Sequence, residues 1–188
     1  FWRGELQFLN IKQLILVRKS KSKEKAQFSF CVKKAEHWEE VIKTDAYIGK
    51  NGMTANKIEG DGKTPSGKFG IGIAFGTHEK IGKLEYKKIN ENMYWIDDVS
   101  SKNYNQLIEK KTIENKLEHG EHLIEYPIEY EYAIEIKINP QNIKEKGSAI
   151  FLHCSNNKPT GGCIAIDKKY MREILERIEK DAVIIIQE

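Results

Sequence analysis

The chain has 188 residues, 39% of them hydrophobic and 31% charged, which is the composition of a globular protein and excludes a disordered one. The net charge is only +3, and no run of Lys and Arg is long enough to indicate nucleic-acid binding. No apolar run approaches the roughly 20 residues of a membrane-spanning helix. These features predict a single soluble domain over residues 1–188.

The first quarter of the chain predicts antiparallel strands. An apolar run and then a strict alternation of apolar and polar residues predict a β-hairpin over residues 6–34, with the charged segment Lys19–Lys25 at its tip. Cys31 falls on the face opposite the large apolar residues and is interpreted as structural. A further strand is predicted around Ala46–Ile48.

The glycine-rich region that follows resembles a phosphate-binding loop at Gly62–Lys68. However, Phe69 stands where a Ser or Thr is needed to bind magnesium, and Pro65 lacks the N–H that would contact phosphate. Nucleotide binding is therefore rejected. The region instead predicts a tight turn at Glu59–Lys63 and a strand from Gly67 to Phe75.

Apolar periodicity predicts three more strands and one helix in the last third of the chain. Asp167 is the predicted N-cap of the helix, whose apolar residues recur at helical spacing. The predicted elements are the strand Tyr130–Ile138, the strand 148–153, the helix Lys168–Lys180 and the strand Ala182–Ile186. Many short strands separated by turns predict a mainly β fold: a β-sandwich-like mixed sheet with the C-terminal helix packed on it.

A His and a Cys flank the most informative loop of the sequence. His153 ends a predicted strand, and Cys163 follows a polar loop and two glycines. If the loop folds back, the imidazole can accept the thiol proton and generate a nucleophilic thiolate. The N–H groups of Gly162 and Cys163 are then candidate donors to an oxyanion. We expect Cys163 to be exposed and to have a lowered pKa.

Two other interpretations of this loop remain open. Cysteines are commonly buried and paired glycines commonly form turns, so the pattern is also compatible with a structural role. Cys154 should point away from His153 on an extended strand and behave as an ordinary thiol, like Cys31. A metal site is less favoured, because no Cys-x-x-Cys pair accompanies these residues, and His119-x-x-His122 lacks carboxylates in register.

The loop resembles the active-site signature of the L,D-transpeptidase family, which has a YkuD-type catalytic domain. That signature is a His, a variable loop, Ser or Thr, any residue, Gly, Cys and an aliphatic residue. The matching residues are His153, Thr160, Gly161, Gly162, Cys163 and Ile164. Further similarity extends in order over residues 45–166, including the glycine-rich region. The chain departs from many members at Ala165, where they carry Arg, and at Gly161, where they carry His.

The resemblance implies an enzyme that acts on the tetrapeptide stems of peptidoglycan. Cys163 would form a thioester with the third stem residue, His153 would move protons, and an amine of a second stem would resolve the thioester. It implies an extracytoplasmic protein, in the periplasm or cell wall, that requires neither a metal nor an organic cofactor. Thr160, Gly161 and His122 are expected to bind substrate. Trp95 and Tyr104 are aromatic residues in a loop-like setting, for which core packing is the default and lining the substrate cleft is the sharper alternative. They are included among the expected substrate-binding residues on that alternative.

Two rival functions stay open at this point. The same acyl-enzyme could be resolved by water, which would make the protein an L,D-carboxypeptidase. Alternatively, the replacement of Arg by Ala165 could indicate a cell-wall-binding module that has lost its activity.

Overall fold

The structure is a computed structural model that describes residues 11–110 and 119–188. These residues form fourteen strands, two 3₁₀ turns and one α-helix. In chain order the elements are β1 Gln13–Lys19, β2 Lys25–Lys34, β3 His37–Tyr47, β4 Met53–Thr54, β5 Thr64–Pro65, β6 Gly67–Gly76, β7 Tyr86–Lys88, β8 Met93–Ile96, β9 Leu107–Glu109, β10 Gly120–His122, the 3₁₀ turns Leu123–Glu125 and Glu129–Glu131, β11 Ala133–Ile136, β12 Phe151–Cys154, β13 Ile164–Ile166, α1 Lys168–Arg177 and β14 Val183–Gln187.

Nine of the described strands form one mixed sheet, in the order β11-β12-β13-β3-β2-β1-β14-β6-β7. Because β6 also pairs with β11, the sheet closes on itself around a core. The pairs β1–β14, β6–β7 and β12–β13 are parallel, and the other pairs of this sheet are antiparallel. The mainly β fold with a mixed sheet is therefore confirmed.

Strand β12 separates two hydrophobic clusters, because its successive side chains point to opposite faces. Leu152 and Cys154 belong to the larger cluster, which fills the closed sheet. The helix packs on this cluster through Met171, Ile174 and Leu175, as its periodicity predicts. Phe151 belongs to the second cluster, which also contains Cys163. The candidate site thus lies on the side of β12 that faces away from the main core.

Several predicted elements are confirmed with shifted ends. Strands β1 and β2 form the predicted hairpin, although residues 6–10 lie outside the described part. The Asp167 side chain accepts from the N–H of Lys169 and caps the helix as predicted. The helix ends at Arg177 rather than Lys180, because Ile178 has an extended backbone. Within the described residues no helix is long and apolar enough to cross a membrane.

The predicted strand Tyr130–Ile138 is too long. Residues Glu129–Glu131 form a 3₁₀ turn, and only Ala133–Ile136 pairs as a strand. After this strand the N–H of Ile138 donates to the nearby carbonyl of Ile136, so the chain has left the sheet. The strand predicted over 148–153 also starts later, at Phe151, since Ala149 has a left-handed backbone with φ of 51°.

Candidate active site

The parallel pairing of β12 with β13 brings His153 and Cys163 together. Leu152 is in register with Ile164, so Cys163 lies beside Phe151 on the neighbouring strand. The Phe151 N–H donates to the Cys163 sulfur at 3.3 Å. His153 follows two residues later and shares the face of Phe151. Both His153 and Cys163 line one cavity of about 260 Å³.

Two threonine hydroxyls hold the turn that carries the cysteine. The Thr160 hydroxyl donates to the Cys163 carbonyl at 2.6 Å and accepts from the Gly162 N–H at 3.1 Å. The Thr64 hydroxyl, which is fully buried, donates to the Gly162 carbonyl at 2.8 Å and accepts from the Gly49 N–H at 2.8 Å. Local and distant segments of the chain therefore fix the same turn. This turn positions Cys163 on the cavity wall.

The prediction that Cys163 is exposed and has a lowered pKa is wrong. Cys163 is 7% exposed, and its sulfur lies 3.3 Å from the Ala149 carbonyl, to which the thiol donates. Burial raises the pKa of Cys163 well above the usual thiol range, and the charge of Glu121 raises it further. At neutral pH the resting residue is a protonated thiol.

His153 is a neutral base in this structure. The ring is 5% exposed, and burial lowers its pKa. Its Nδ1 lies 2.8 Å from the carbonyl oxygen of Cys154, which accepts from the N–H at this position. In that tautomer Nε2 has a free lone pair. The imidazole, which lines the cavity, is therefore able to accept a proton at Nε2.

The Gly162 N–H, one of the two expected oxyanion donors, is already engaged with the Thr160 hydroxyl. The sequence predicts that this N–H is available to an oxyanion, whereas in the structure the Thr160 hydroxyl accepts from it. Gly162 has φ of +151°, and a Cβ there would lie 2.9 Å from both the Lys63 carbonyl and Ile150. Glycine is thus required at this position by conformation and by space.

Charged residues from distant segments complete the cavity. Four carboxylates line it, from Glu59, Asp97, Glu121 and Glu129. Glu121 is half-buried and accepts from the Tyr130 hydroxyl. Burial raises the pKa of Glu121 to about 7. Among the described residues of the cavity wall, Lys57 is the one Lys or Arg side chain.

Five residues were expected to bind substrate, and two of them, Thr160 and Gly161, lie on this wall. His122 does not: its ring stacks on Tyr94 with centroids 4.3 Å apart, and its Nε2 lies 2.7 Å from the Glu91 carbonyl oxygen. Because side chains alternate along β10, the neighbouring Glu121 faces the cavity instead.

The two aromatic residues expected in the cleft are part of the core. Trp95 is 3% exposed and packs edge-on against Phe151. Tyr104 is 1% exposed and does not line the cavity, although its hydroxyl donates to Glu59, which does. Core packing is therefore the observed arrangement for both.

The other two cysteines lie away from the cavity. Cys154 points to the main core, opposite His153, as predicted, and its sulfur lies 3.6 Å from the Tyr132 carbonyl. Cys31 packs with Leu14 in a separate small cluster. Burial raises the pKa of each thiol to about 11. The part of the chain that the structure describes contains no cluster of three or more His, Cys, Asp or Glu residues arranged to hold a metal ion.

Comparison with known families decides the relationship of this chain. The family model of the YkuD L,D-transpeptidase catalytic domain matches residues 15–186. The chain belongs to this family. No curated relative matches the chain.

Two solved structures resemble the L,D-transpeptidase domain described here. Bd1075 of Bdellovibrio bacteriovorus aligns with a TM-score of 0.49 and 19% identity, over 94% of this chain and 48% of that one. L,D-transpeptidase 1 of Mycobacterium tuberculosis aligns with a TM-score of 0.41 and 12% identity, over 94% of this chain and 63% of that one. The chain thus spans about half to two thirds of the length of these proteins.

The departure from the family signature at Ala165 has a clear structural setting. Ala165 is buried, pairs with Tyr47 of β3, and is absent from the wall of the cavity that holds Cys163. At Gly161 a Cβ would meet no atom within 4 Å, so this position is open. Cys163 and His153 line the same cavity despite both departures.

Sequence reasoning missed Lys57, Thr64, Glu121 and Tyr130 as residues of the site. Lys57 and Thr64 lie in the glycine-rich region. The similarity of this region to the family was the signal that could have identified them. Glu121 could be found only by recognising β10 as a strand, in which Glu121 faces the cavity and the next residue, His122, faces away from it. Tyr130 was assigned to a strand, whereas its ring lies edge-on to His153 with centroids 5.7 Å apart.

Proposed function

We propose that this chain is a cysteine-dependent acyltransferase that acts on peptidoglycan tetrapeptide stems as an L,D-transpeptidase. One observation carries the proposal: a thiol and a neutral imidazole face the same cavity in a member of this family. Family membership implies an enzyme of the cell wall and hence an extracytoplasmic location. The catalytic roles below are assigned to the residues of this chain on that basis.

The first half-reaction uses Cys163 as nucleophile and His153 as base. Nε2 of His153 accepts the thiol proton, and the sulfur attacks the carbonyl carbon of the third stem residue. The tetrahedral intermediate collapses, the bond to the terminal residue breaks, and the imidazolium donates its proton to the departing amine. The product is a thioester on Cys163.

The second half-reaction restores the thiol. An amine of a second stem loses a proton to His153 and attacks the thioester, which releases the cross-linked product and the Cys163 thiolate. The imidazolium then returns its proton to the sulfur. The carboxyl groups of Glu59, Asp97 and Glu129 on the cavity wall favour the approach of an acceptor that bears an ammonium group. The ammonium group loses one proton to solvent before it attacks as the amine, and this attraction supports transfer to an amine over hydrolysis.

Burial of the thiol implies that the nucleophile forms only with substrate in place. A thiol of raised pKa and an imidazole of lowered pKa are both uncharged at neutral pH. Proton transfer between them creates two charges, which requires a developing oxyanion and its donors to be present. We therefore assign the Cys163 N–H as an oxyanion donor, with the Gly162 N–H joining it when the Thr160 hydroxyl turns away.

Product analysis tests the proposal. The protein is incubated with a disaccharide-tetrapeptide, with and without an acceptor amine, and products are identified by mass spectrometry. Cross-linked product that needs the acceptor supports the transpeptidase. Release of the terminal residue alone, unaffected by the acceptor, would assign the L,D-carboxypeptidase activity, and binding to sacculi without turnover would assign the binding module. Cys163→Ala should abolish turnover, whereas Cys31→Ala, which alters a thiol outside the cavity, should not.

A further inference from the structure

Lys57 occupies a slot between two glycines beside the candidate nucleophile. Its side chain is 9% exposed and lies on the cavity wall. A Cβ at Gly147 would lie 2.8 Å from Cγ of Lys57, and a Cβ at Gly162 would lie 3.3 Å from its Nζ. Both glycines have positive φ, of +94° and +151°. The stem of the lysine therefore packs over one glycine, and its ammonium group lies at the residue that precedes Cys163.

The ammonium group is partly neutralised on one side. Nζ forms an ion pair with Asp61 and donates to the Lys63 carbonyl at 2.9 Å. An ammonium group has three N–H donors, so these contacts leave one. Nζ also lies next to Gly162, on the wall of the cavity that Cys163 lines.

We propose that Lys57 is the cation of this site, and that its ammonium group stabilises the negative charge that forms at Cys163 when the thiol loses its proton. The proposal deepens the acyl-transfer function and rests on it for the reaction, although the effect on the thiol exists without substrate.

The electrostatics of the thiol agree with this geometry. Burial is the largest influence on the pKa of Cys163 and raises it, the charge of Glu121 raises it further, and Lys57 lowers it. His153 on the cavity wall is neutral, and burial raises the pKa of Tyr126 and Tyr130. The other titratable groups on the wall are the carboxyl groups of Glu59, Asp97 and Glu129. Lys57 and Glu121 therefore act on the same sulfur with opposite sign.

The test measures alkylation of the full chain by iodoacetamide between pH 7 and 10, with peptide mapping to follow Cys163 separately. This readout needs no peptidoglycan, so its outcome is independent of whether the proposed acyl transfer occurs. Lys57→Met keeps most of the stem and removes the charge. We expect alkylation of Cys163 at pH 8 to slow by about threefold to tenfold, because a rise of one pKa unit lowers the thiolate fraction about tenfold. Lys57→Arg should retain a rate close to that of the wild type.

Asp61→Asn separates the electrostatic role from a structural one. This substitution removes the counter-charge and leaves the cation, so the rate at Cys163 should stay unchanged or increase. A decrease in both Asp61→Asn and Lys57→Met would show that the lysine merely holds the loop, and would overturn the proposal. So would a pH profile of Lys57→Met identical to that of the wild type. If Lys57→Met fails to fold, as judged by near-ultraviolet circular dichroism, Lys57→Gln replaces it with the same expected and contradicting outcomes.

Discussion

At the scale of single residues, the two glycines before Cys163 have different roles. Gly161 faces open space at the cavity, and a methyl group there would touch nothing. Gly162 has a positive φ, and a methyl group there would press on Ile150 and the Lys63 carbonyl. The sequence pattern presents both as turn glycines, because it cannot tell which of them other parts of the chain surround.

We predict that Gly161→Ala is neutral and that Gly162→Ala is destabilising. The first should change the free energy of unfolding by less than about 0.5 kcal/mol, as for other surface substitutions. The second combines backbone strain with overpacking and should cost about 1–3 kcal/mol. Urea denaturation of the two variants provides the comparison. Equal losses of stability would show that Gly162 is not constrained in the way described.

Glu121 gives the protein a pH-dependent stability. Its pKa rises from an ordinary 4.5 to about 7 on folding, chiefly through burial. Below about pH 4.5 the folded and the unfolded protein both hold the proton on Glu121, so the raised pKa costs no stability. As the pH rises from about 4.5 to about 7, the unfolded state loses its proton first, so the free energy of unfolding falls, by about 3 kcal/mol in all.

We predict that Glu121→Gln removes this fall in stability. The variant retains an oxygen that can accept from the Tyr130 hydroxyl, and it should be more stable than the wild type at pH 8 but not at pH 4. Glu125→Gln, at an exposed neighbour, serves as the control and should follow the wild-type curve. Chemical denaturation at several pH values measures both. Parallel curves for wild type and Glu121→Gln would contradict a half-buried, proton-binding carboxyl group.

At the scale of secondary-structure elements, Cys163 is held by loops that a pair of strands anchors. The parallel pair β12–β13 sets the register of Cys163, and the buried hydroxyl of Thr64 joins its turn to the glycine-rich segment. Strands β7 to β10 lie in a polar region without a clear apolar pattern, but the helix and the strands β1, β2, β11, β12 and β14 could be predicted from apolar periodicity. The ends could not, because Ile138 and Ala149 leave the extended conformation through local hydrogen bonding and backbone angles.

We predict that Thr64→Val destabilises the turn. The substitution keeps the volume but leaves the Gly49 N–H and the Gly162 carbonyl without their partner, which costs about 1–3 kcal/mol for such buried groups. Acyl transfer should fall as well, since the turn positions Cys163. Ser66→Ala, which removes an exposed hydrogen bond to Glu188, should cost much less. An unchanged denaturation midpoint for Thr64→Val would contradict this role of the hydroxyl.

At the scale of the whole molecule, the site is a product of sheet closure. Segments that are far apart in sequence contribute Lys57, Glu121, Tyr130, His153 and Cys163 to one cavity. The His and Cys were predictable because a short loop joins them and because their spacing resembles a family signature. Their burial, and the charges around them, depend on contacts between distant segments, and for that reason the thiol was wrongly expected to be exposed.

The cleft residues show the same limit. Trp95 and Tyr104 were assigned to substrate binding because aromatic residues in polar segments often line clefts, but the second cluster and Glu59 enclose them. His122 was assigned by resemblance and lies one residue away from the side chain that reaches the cavity, Glu121. Single-sequence patterns identify the segment in such cases, whereas the face of the strand is set by the fold.

The central claim is that Cys163 carries the acyl group, and intact-protein mass spectrometry of the enzyme quenched early in its reaction with a tetrapeptide stem tests it most directly. The account predicts an adduct of the stem minus its terminal residue, which peptide mapping places on Cys163. It also predicts that His153→Ala forms this adduct about 10²–10⁴-fold more slowly. An adduct on Cys154 or Cys31, or turnover in Cys163→Ala, would contradict the account.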